Sequence, residues 1–270
     1  MIFSDHDLAT RLEGLEARFS ADCARARREF RPESDTVALA VGGGFALFLG
    51  EDSPLNEAKG MGMSGPVSAD ELAAMERVFL DRGGPAKVMV CPMSDPSLLS
   101  GLAARGFRPV GFEDVLYREL DPGETFPAPP EGVEILWAGP DDAETLTQTV
   151  ARGFVAPDEP GPGILEIMSL ASRAGGMMGL LARVEGEPAG GASILIRDGL
   201  AMLAGASTLP KFRNRGIQTA LARARLARAA KAGCELVTMG AEPGSTSHRN
   251  AERLGLRVAY TKLVLVLDPS

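Results

Sequence analysis

The sequence predicts a mixed α/β (α+β) chain in which helices flank a mostly antiparallel central sheet, and it predicts that architecture twice. Three observations carry this. Apolar stretches of strand character alternate with Ala/Leu-rich stretches of helical character. Asp121–Glu131 places four prolines (Pro122, Pro127, Pro129 and Pro130) in eleven positions, which reads as a stiff extended linker between two halves, 1–125 and 126–270. The elements on either side of it recur in one order.

In the second half, Val133–Trp137 is a predicted strand, and Pro140-Asp141-Asp142 opens a helix with acids in its first turn. Gly163–Arg173 reads as a second helix. Met178–Val184 and Ala189–Arg197 are strands joined by a turn at Glu185-Gly186-Glu187-Pro188. Leu200–Thr208 is a further strand, stopped by Pro210, and Ile217–Ala232 a helix of good helix formers. Leu236–Gly240 is a strand, Thr246–Leu254 a short helix ended at Gly255, and Leu256–Leu267 a final strand or hairpin. The order is β-α-α-β-β-β-α-β-α-β.

A shift of 149 positions lays the first half on the second: Val88 falls on Val237, Gly106 on Gly255 and Arg108 on Arg257, with helix Ala69–Asp81 on Gln218–Ala230. Before that helix, Ser68 and Glu71 have capping-box spacing. Gly42-Gly43-Gly44 lacks the spacing of a nucleotide loop and reads as a hairpin turn between Thr36–Val41 and Phe45–Leu49. Leu8, Leu12, Leu15 and Phe19 form an apolar stripe on an N-terminal helix that packs on this half.

Composition narrows the function. The 270 residues are 45% hydrophobic and 24% charged with net charge −8, as in a soluble globular protein. No run approaches a membrane span and no signal peptide is evident, so a cytoplasmic protein without a membrane partner is expected. Three scattered cysteines read as buried thiols, and two distant histidines argue against a metal site. Net acidity with one Trp and two Tyr argues against a nucleic-acid partner.

Against this acidic background, no Asp or Glu lies between Asp198 and Glu235, while Lys211, Arg213, Arg215, Arg223, Arg225, Arg228 and Lys231 do. A loop that empties into a helix start presents unpaired N–H groups and about half a positive charge, a site for a pyrophosphate. Gly216 lets the backbone approach a ligand or turn sharply. An ordinary turn beside a solvated basic helix face accounts for the same spacing.

Arg213-x-x-Gly216-x-Gln218 resembles the Arg/Gln-x-x-Gly-x-Gly/Ala signature of the GNAT superfamily of acyl-CoA-dependent N-acyltransferases, and the resemblance extends over residues 132–267. Gln218 departs from the usual Gly or Ala, yet still offers a backbone N–H. The resemblance implies tandem GNAT-like domains. The loop of Arg213, Asn214, Arg215, Gly216, Ile217, Gln218 and Thr219 would hold the pyrophosphate of coenzyme A. The strand end at Ser207, Thr208 and Leu209 would offer backbone groups to the pantetheine arm, one amide polarising the thioester carbonyl. Ser245 and Asn250 would contact pantetheine, although helix capping by Ser245 or Thr246 accounts for that stretch equally. In the first half the loop positions are Ser64-Gly65-Pro66-Val67-Ser68-Ala69, without Arg, implying a GNAT-like domain without a cofactor loop.

Catalytic groups are harder to find. The family often carries a Tyr four residues before the glycine that ends the last short helix; here that position is Ala251. Candidates for the base are Glu242, His248 and Tyr260, of which Glu242 is preferred. The expected activity is transfer of an acetyl group from acetyl-CoA, as co-substrate and without a metal, to a primary amine of a small molecule or amino acid, with homodimerisation left open. The alternative is a non-catalytic acyl-CoA-binding sensor or assembly module. No motif supports an NAD- or ATP-binding enzyme.

Overall fold

The structure is a computed structural model that describes residues 3–51 and 53–269. Its contacts divide the chain into two compact units, one of residues 1–116, 240–252 and 257–270, the other of 117–239 and 253–256. This cuts across the linear division at 125/126. The C-terminal strand joins the first unit because it zips antiparallel along a strand there, from Leu263 opposite Val90 to Leu267 opposite Ala86.

In the first unit, helix α1 (His6–Phe30) is opened by Asp5, whose carboxylate accepts the Leu8 N–H at 2.9 Å. Its stripe Leu8, Leu12 and Leu15 is buried. Strands β1 (Val37–Val41) and β2 (Gly44–Phe48) form the expected hairpin, with Gly42 and Gly43 at φ 57° and 80°. Two consecutive left-handed residues are what a two-residue turn of this hand demands. Strand β3 (Glu57–Lys59) pairs antiparallel with β2 and parallel with β4 (Ala86–Val90). Helices α2 (Ala69–Leu80) and α3 (Pro96–Ala104) follow, then strand β5 (Arg108–Glu119), of which the residues up to Leu116 belong to this unit. Met75, Phe79, Val88, Leu98 and Leu265 close one core.

The second unit contains β6 (Val133–Trp137), a 3₁₀ turn over Pro140–Asp142, α4 (Ala143–Val155), α5 (Pro162–Arg173), β7 (Met177–Val184), β8 (Glu187–Arg197), β9 (Leu200–Thr208) and α6 (Ile217–Lys231). Strand β10 (Leu236–Ala241) begins in this unit. The sheet runs β6-β7-β8-β9-β10, antiparallel except for β9 with β10, which α6 connects. Only Glu185 and Gly186, at φ 52° and 78°, turn between β7 and β8, and Glu187 and Pro188 join the strand. Leu180, Ala192 and Ile194 pack with Ile217, Leu221 and Leu226 of α6.

The proline-rich segment is docked on this unit rather than free. Phe126 packs on its core, and Arg118 grips both carboxylate oxygens of Glu124. Helix α7 (Thr246–Arg253) and strand β11 (Arg257–Leu267) complete the chain; the last is one strand, not a hairpin. The repeat survives in the fold. Helices α2 and α6 begin 148 positions apart, at Ala69 and Ile217, and strands β5 and β11 begin 149 apart, at Arg108 and Arg257.

Candidate active site

Helix α6 starts on Gly216, at φ 74° and ψ 5°, with no side chain capping it. Asn214, two residues earlier, is also left-handed at φ 63°, a conformation asparagine tolerates better than most residues. A turn of this kind followed by an uncapped helix start leaves amides directed outward, a concavity suited to an anion. A Cβ on Gly216 would lie 3.0 Å from Cγ of Pro130, so the glycine is also a point of close approach. Arg213 is exposed and braces the loop by donating to Thr208 O and Gly153 O, both at 3.2 Å. The hydroxyl of Thr208 donates to the Gln218 carboxamide oxygen at 3.3 Å, tying the strand end to the first turn of α6. Ile217 is buried in the core, and Arg215 and Thr219 are exposed. These residues fit a pyrophosphate.

The start of α2 presents the opposite arrangement. Ser68 Oγ accepts the Glu71 N–H at 3.2 Å, and Glu71 Oε2 accepts the Ser68 N–H at 2.8 Å. Those bonds to Ser68 hold the Glu71 carboxyl below its ordinary range, and Glu71 Oε1 also accepts the Gly42 N–H at 3.3 Å. The expected capping box is therefore closed, and the donors that α6 leaves open are used here by the chain itself.

The carboxylate-free interval is not one basic patch. Lys211 pairs with Glu187, Arg228 lies 5.9 Å over the Trp137 ring, and Arg225 is buried. Only part of the charge read from the sequence faces the loop.

The strand end is selective too. Ser207 is buried and its hydroxyl donates to Val150 O at 2.8 Å, against Gly153, where any Cβ would collide with it. The Leu209 N–H donates to Ala189 O at 2.9 Å and its carbonyl accepts the Phe212 N–H, so the backbone of Leu209 is spent inside the fold and is not free for a pantetheine arm. Upstream, the parallel ladder of β9 with β10 stops after Met202 opposite Thr238, although β9 continues to Thr208. That leaves an edge of β9 open over the residues that would meet an acyl-pantetheine.

Glu242, Ser245 and Asn250 fall in the other compact unit. Glu242 is exposed in the turn before α7, its carbonyl accepting the Ser245 N–H. Ser245 Oγ accepts the His248 N–H at 3.1 Å, the capping role that sequence allowed. Asn250 is half-buried on α7. His248 Nδ1 accepts the Gly244 N–H at 2.9 Å; a nitrogen so engaged carries no proton for Asp114, 3.5 Å away, and is not available as a base. Ala251 is buried, with no phenol in the place the family often gives one.

Tyr260 is excluded by its surroundings. It is buried and its hydroxyl donates to Glu13 Oε1 at 2.8 Å; burial, then the Glu13 charge, push it far above the ordinary phenol range. Burial also raises the Cys23 thiol to about 12 and the Cys91 thiol to about 11, so neither is a nucleophile near neutrality. Among the described residues no group of His, Cys, Asp or Glu could hold a metal ion, and no helix is long and apolar enough to cross a membrane.

In sequence Arg225 is one charge of a basic face; in the structure it is buried beneath the sheet contact of α6. Its signal was the lone cation at i+4 from Leu221 and i−4 from Ala229, both core residues. An isolated glycine at 205 likewise marks the β-bulge that interrupts β8–β9, where the pairing steps from Gly191–Ser207 to Ser193–Ala204.

Comparison with known proteins places this geometry. The chain is similar in structure to a GCN5-related N-acetyltransferase from Kribbella flavida, at 21% identity over 94% of this chain and 95% of that one, with a TM-score of 0.64. It also resembles a tandem GNAT protein from the clavulanic acid biosynthesis pathway, at 15% identity over 84% and 74% of the two chains (TM-score 0.56). A GCN5-related N-acetyltransferase from Sphaerobacter thermophilus matches at 21% identity over 68% and 59% (TM-score 0.53). Likeness at these identities establishes the fold as that of GNAT proteins. No curated protein matches the sequence. The sequence profile of the acetyltransferase (GNAT) family matches residues 143–256, which take in α4 through α7 with the loop before α6. Residues 143–256 thus match the acetyltransferase (GNAT) family, within a chain whose fold is that of GNAT proteins.

Proposed function

We propose that the protein transfers an acetyl group from acetyl-CoA to a primary amine of a small molecule or amino acid, with the 126–270 half as the catalytic domain and the 1–125 half as its counterpart without a cofactor loop. The observation that carries this is the uncapped start of α6 on left-handed Gly216. In this reading Arg213, Asn214, Arg215, Gly216, Ile217, Gln218 and Thr219 hold the pyrophosphate. Ser207 and Thr208 contribute through their backbones, Ser245 and Asn250 toward the pantetheine. In the reaction the amine nitrogen bonds to the thioester carbon, the C–S bond breaks with its electrons going to sulfur, and the amine loses a proton. Glu242, exposed in the turn before α7, is the proposed base.

Isothermal titration of the full chain with acetyl-CoA tests the reading; no heat at millimolar ligand sinks it. The expected stoichiometry is one coenzyme A per chain, because Ser68 and Glu71 close the start of α2. A stoichiometry of two would overturn the view of the first half as degenerate.

A second reading, an acyl-CoA-binding module without chemistry, is favoured by one observation: His248 and Tyr260 are committed to hydrogen bonds inside the fold. Binding of acetyl-CoA without turnover across a broad amine panel would select it.

A further inference from the structure

Arg225 sits in the middle of α6, 4% exposed, and holds only backbone carbonyls: its Nε donates to Leu221 O at 3.2 Å and one terminal nitrogen to Ser193 O at 3.1 Å and Ala204 O at 3.3 Å. Ser193 and Ala204 are the pair that borders the bulge in β8–β9. On β9 two residues, Gly205 and Ala206, stand there against the single Ala192 of β8, and Gly205 is left-handed at φ 49°. Burial is the cause that lowers the guanidinium from 12.5 to about 10, with no carboxylate offsetting it, so the group keeps its charge near neutrality without a counter-ion. Burying a cation in this way is costly, and its bonds go to a defect in the strand that borders the open edge described above.

The Ala204 carbonyl and the Gly205 N–H belong to one planar trans peptide, so they point in opposite directions. A guanidinium bonded to the oxygen polarises the unit and makes the N–H on its far side a stronger donor. We propose that Arg225 is a positioning residue for acyl transfer: it locks the β9 bulge and primes the Gly205 N–H to polarise the thioester carbonyl of acetyl-CoA. This rests on the acetyltransferase reading, and it moves the activating amide upstream of the strand end that sequence singled out.

The test uses the full-length chain with acetyl-CoA labelled with ¹³C at the acetyl carbonyl, comparing wild type, Arg225→Met and Arg225→Lys. In wild type the bound carbonyl resonance should move downfield of free acetyl-CoA. Arg225→Met should lose about half of that shift or more, because the peptide is no longer polarised. Its affinity for unacylated coenzyme A should stay within about threefold of wild type, since the pyrophosphate loop is untouched. Arg225→Lys, which can still donate to Ala204 O, should recover part of the shift; a purely structural role would not separate carbonyl polarisation from coenzyme A affinity. Equal carbonyl shifts in wild type and Arg225→Met overturn the proposal alone. Should Arg225→Met fail to fold, the neutral Arg225→Gln takes its place, and a full wild-type shift in that variant overturns the proposal in the same way. Failure of wild type to bind acetyl-CoA overturns the acetyltransferase reading itself, an outcome distinct from the others.

Discussion

Replacing Gly216 by valine should weaken coenzyme A binding by more than about tenfold while the chain still folds. Two effects act together. Gly216 sits at φ 74°, where a β-branched residue is strained by about 1–3 kcal/mol. A new Cβ would also come within 3.0 Å of Pro130 Cγ, so either the docked proline segment or the loop must shift. Strain of that size is a fraction of the roughly 5–15 kcal/mol that holds an ordinary domain together, so the melting temperature should fall by a few degrees rather than collapse. The proposed pyrophosphate site would have no such reserve, because its donors would be backbone amides whose directions are set by these dihedrals. Gly216→Asn separates the causes: asparagine accepts the left-handed backbone, so affinity it loses reports the side chain's bulk. Titration with coenzyme A, alongside thermal unfolding, is the measurement. Unchanged affinity in the valine variant would mean that the phosphate loop lies elsewhere.

Lys262→Met should destabilise the protein by about 3–5 kcal/mol, a large share of a typical domain's stability. Lys262 is 0% exposed on β11; its ammonium lies 3.0 Å from Glu13 Oε1 and bonds Glu16. Glu16 also meets Lys59 at 2.6 Å, and Lys59 meets Glu57 at 2.8 Å. Burial by itself would raise the Glu16 carboxyl, but Lys262 and Lys59 outweigh it and hold the group well below its usual range. Without Lys262 the Glu13 and Glu16 carboxylates stay buried with less compensation, and Glu13 Oε2 already has no partner. Neutralising the carboxylates as well, in Lys262→Met with Glu13→Gln and Glu16→Gln, should recover part of the loss. Urea unfolding of the three proteins reads the effect, and a single variant within about 1 kcal/mol of wild type would show the cluster to be inert.

The same cluster sets a pH window. Glu16 and Glu57 have depressed folded values, so their stabilisation is present above the unfolded carboxylate value of 4.5 and drains as pH falls toward the folded values. Lys59 and Lys262 are raised above 10.5, so theirs is complete below that value and lost only in strong alkali. Glu113, raised by burial and then by Glu16, carries the opposite sign and takes back part of the gain above 4.5. The plateau between about pH 5 and 10 should be lower in Lys262→Met, with the Lys59 pairs to Glu16 and Glu57 still contributing.

Much of the chain was legible in the sequence, for local reasons. Element types and order follow from hydrophobic periodicity, and the starts of α2 and α6 from the residues at their first turns. Gly216 could be read because only a few residue types reach its dihedrals, and the Gly42–Gly43 hairpin for the same reason. The strand character of Leu256–Leu267 was visible as well. Its partner was not: that β11 runs along β4 depends on residues more than 170 positions apart, and no local propensity encodes such a pairing. The destinations of charge were equally hidden. Arg213, Arg225 and Arg228 look alike in sequence, yet one braces the loop, one is buried beneath a bulge and one lies over an indole. Tyr260 and His248, attractive as isolated chemistry, are taken out of play by Glu13 and the Gly244 amide. The sequence by itself determined the elements, their repetition and the turn at Gly216 that opens α6, because these depend on backbone preferences acting within a few residues. Which ionisable groups are buried, paired or left to work was decided only by tertiary structure, because desolvation and partnership are set by residues distant in the chain.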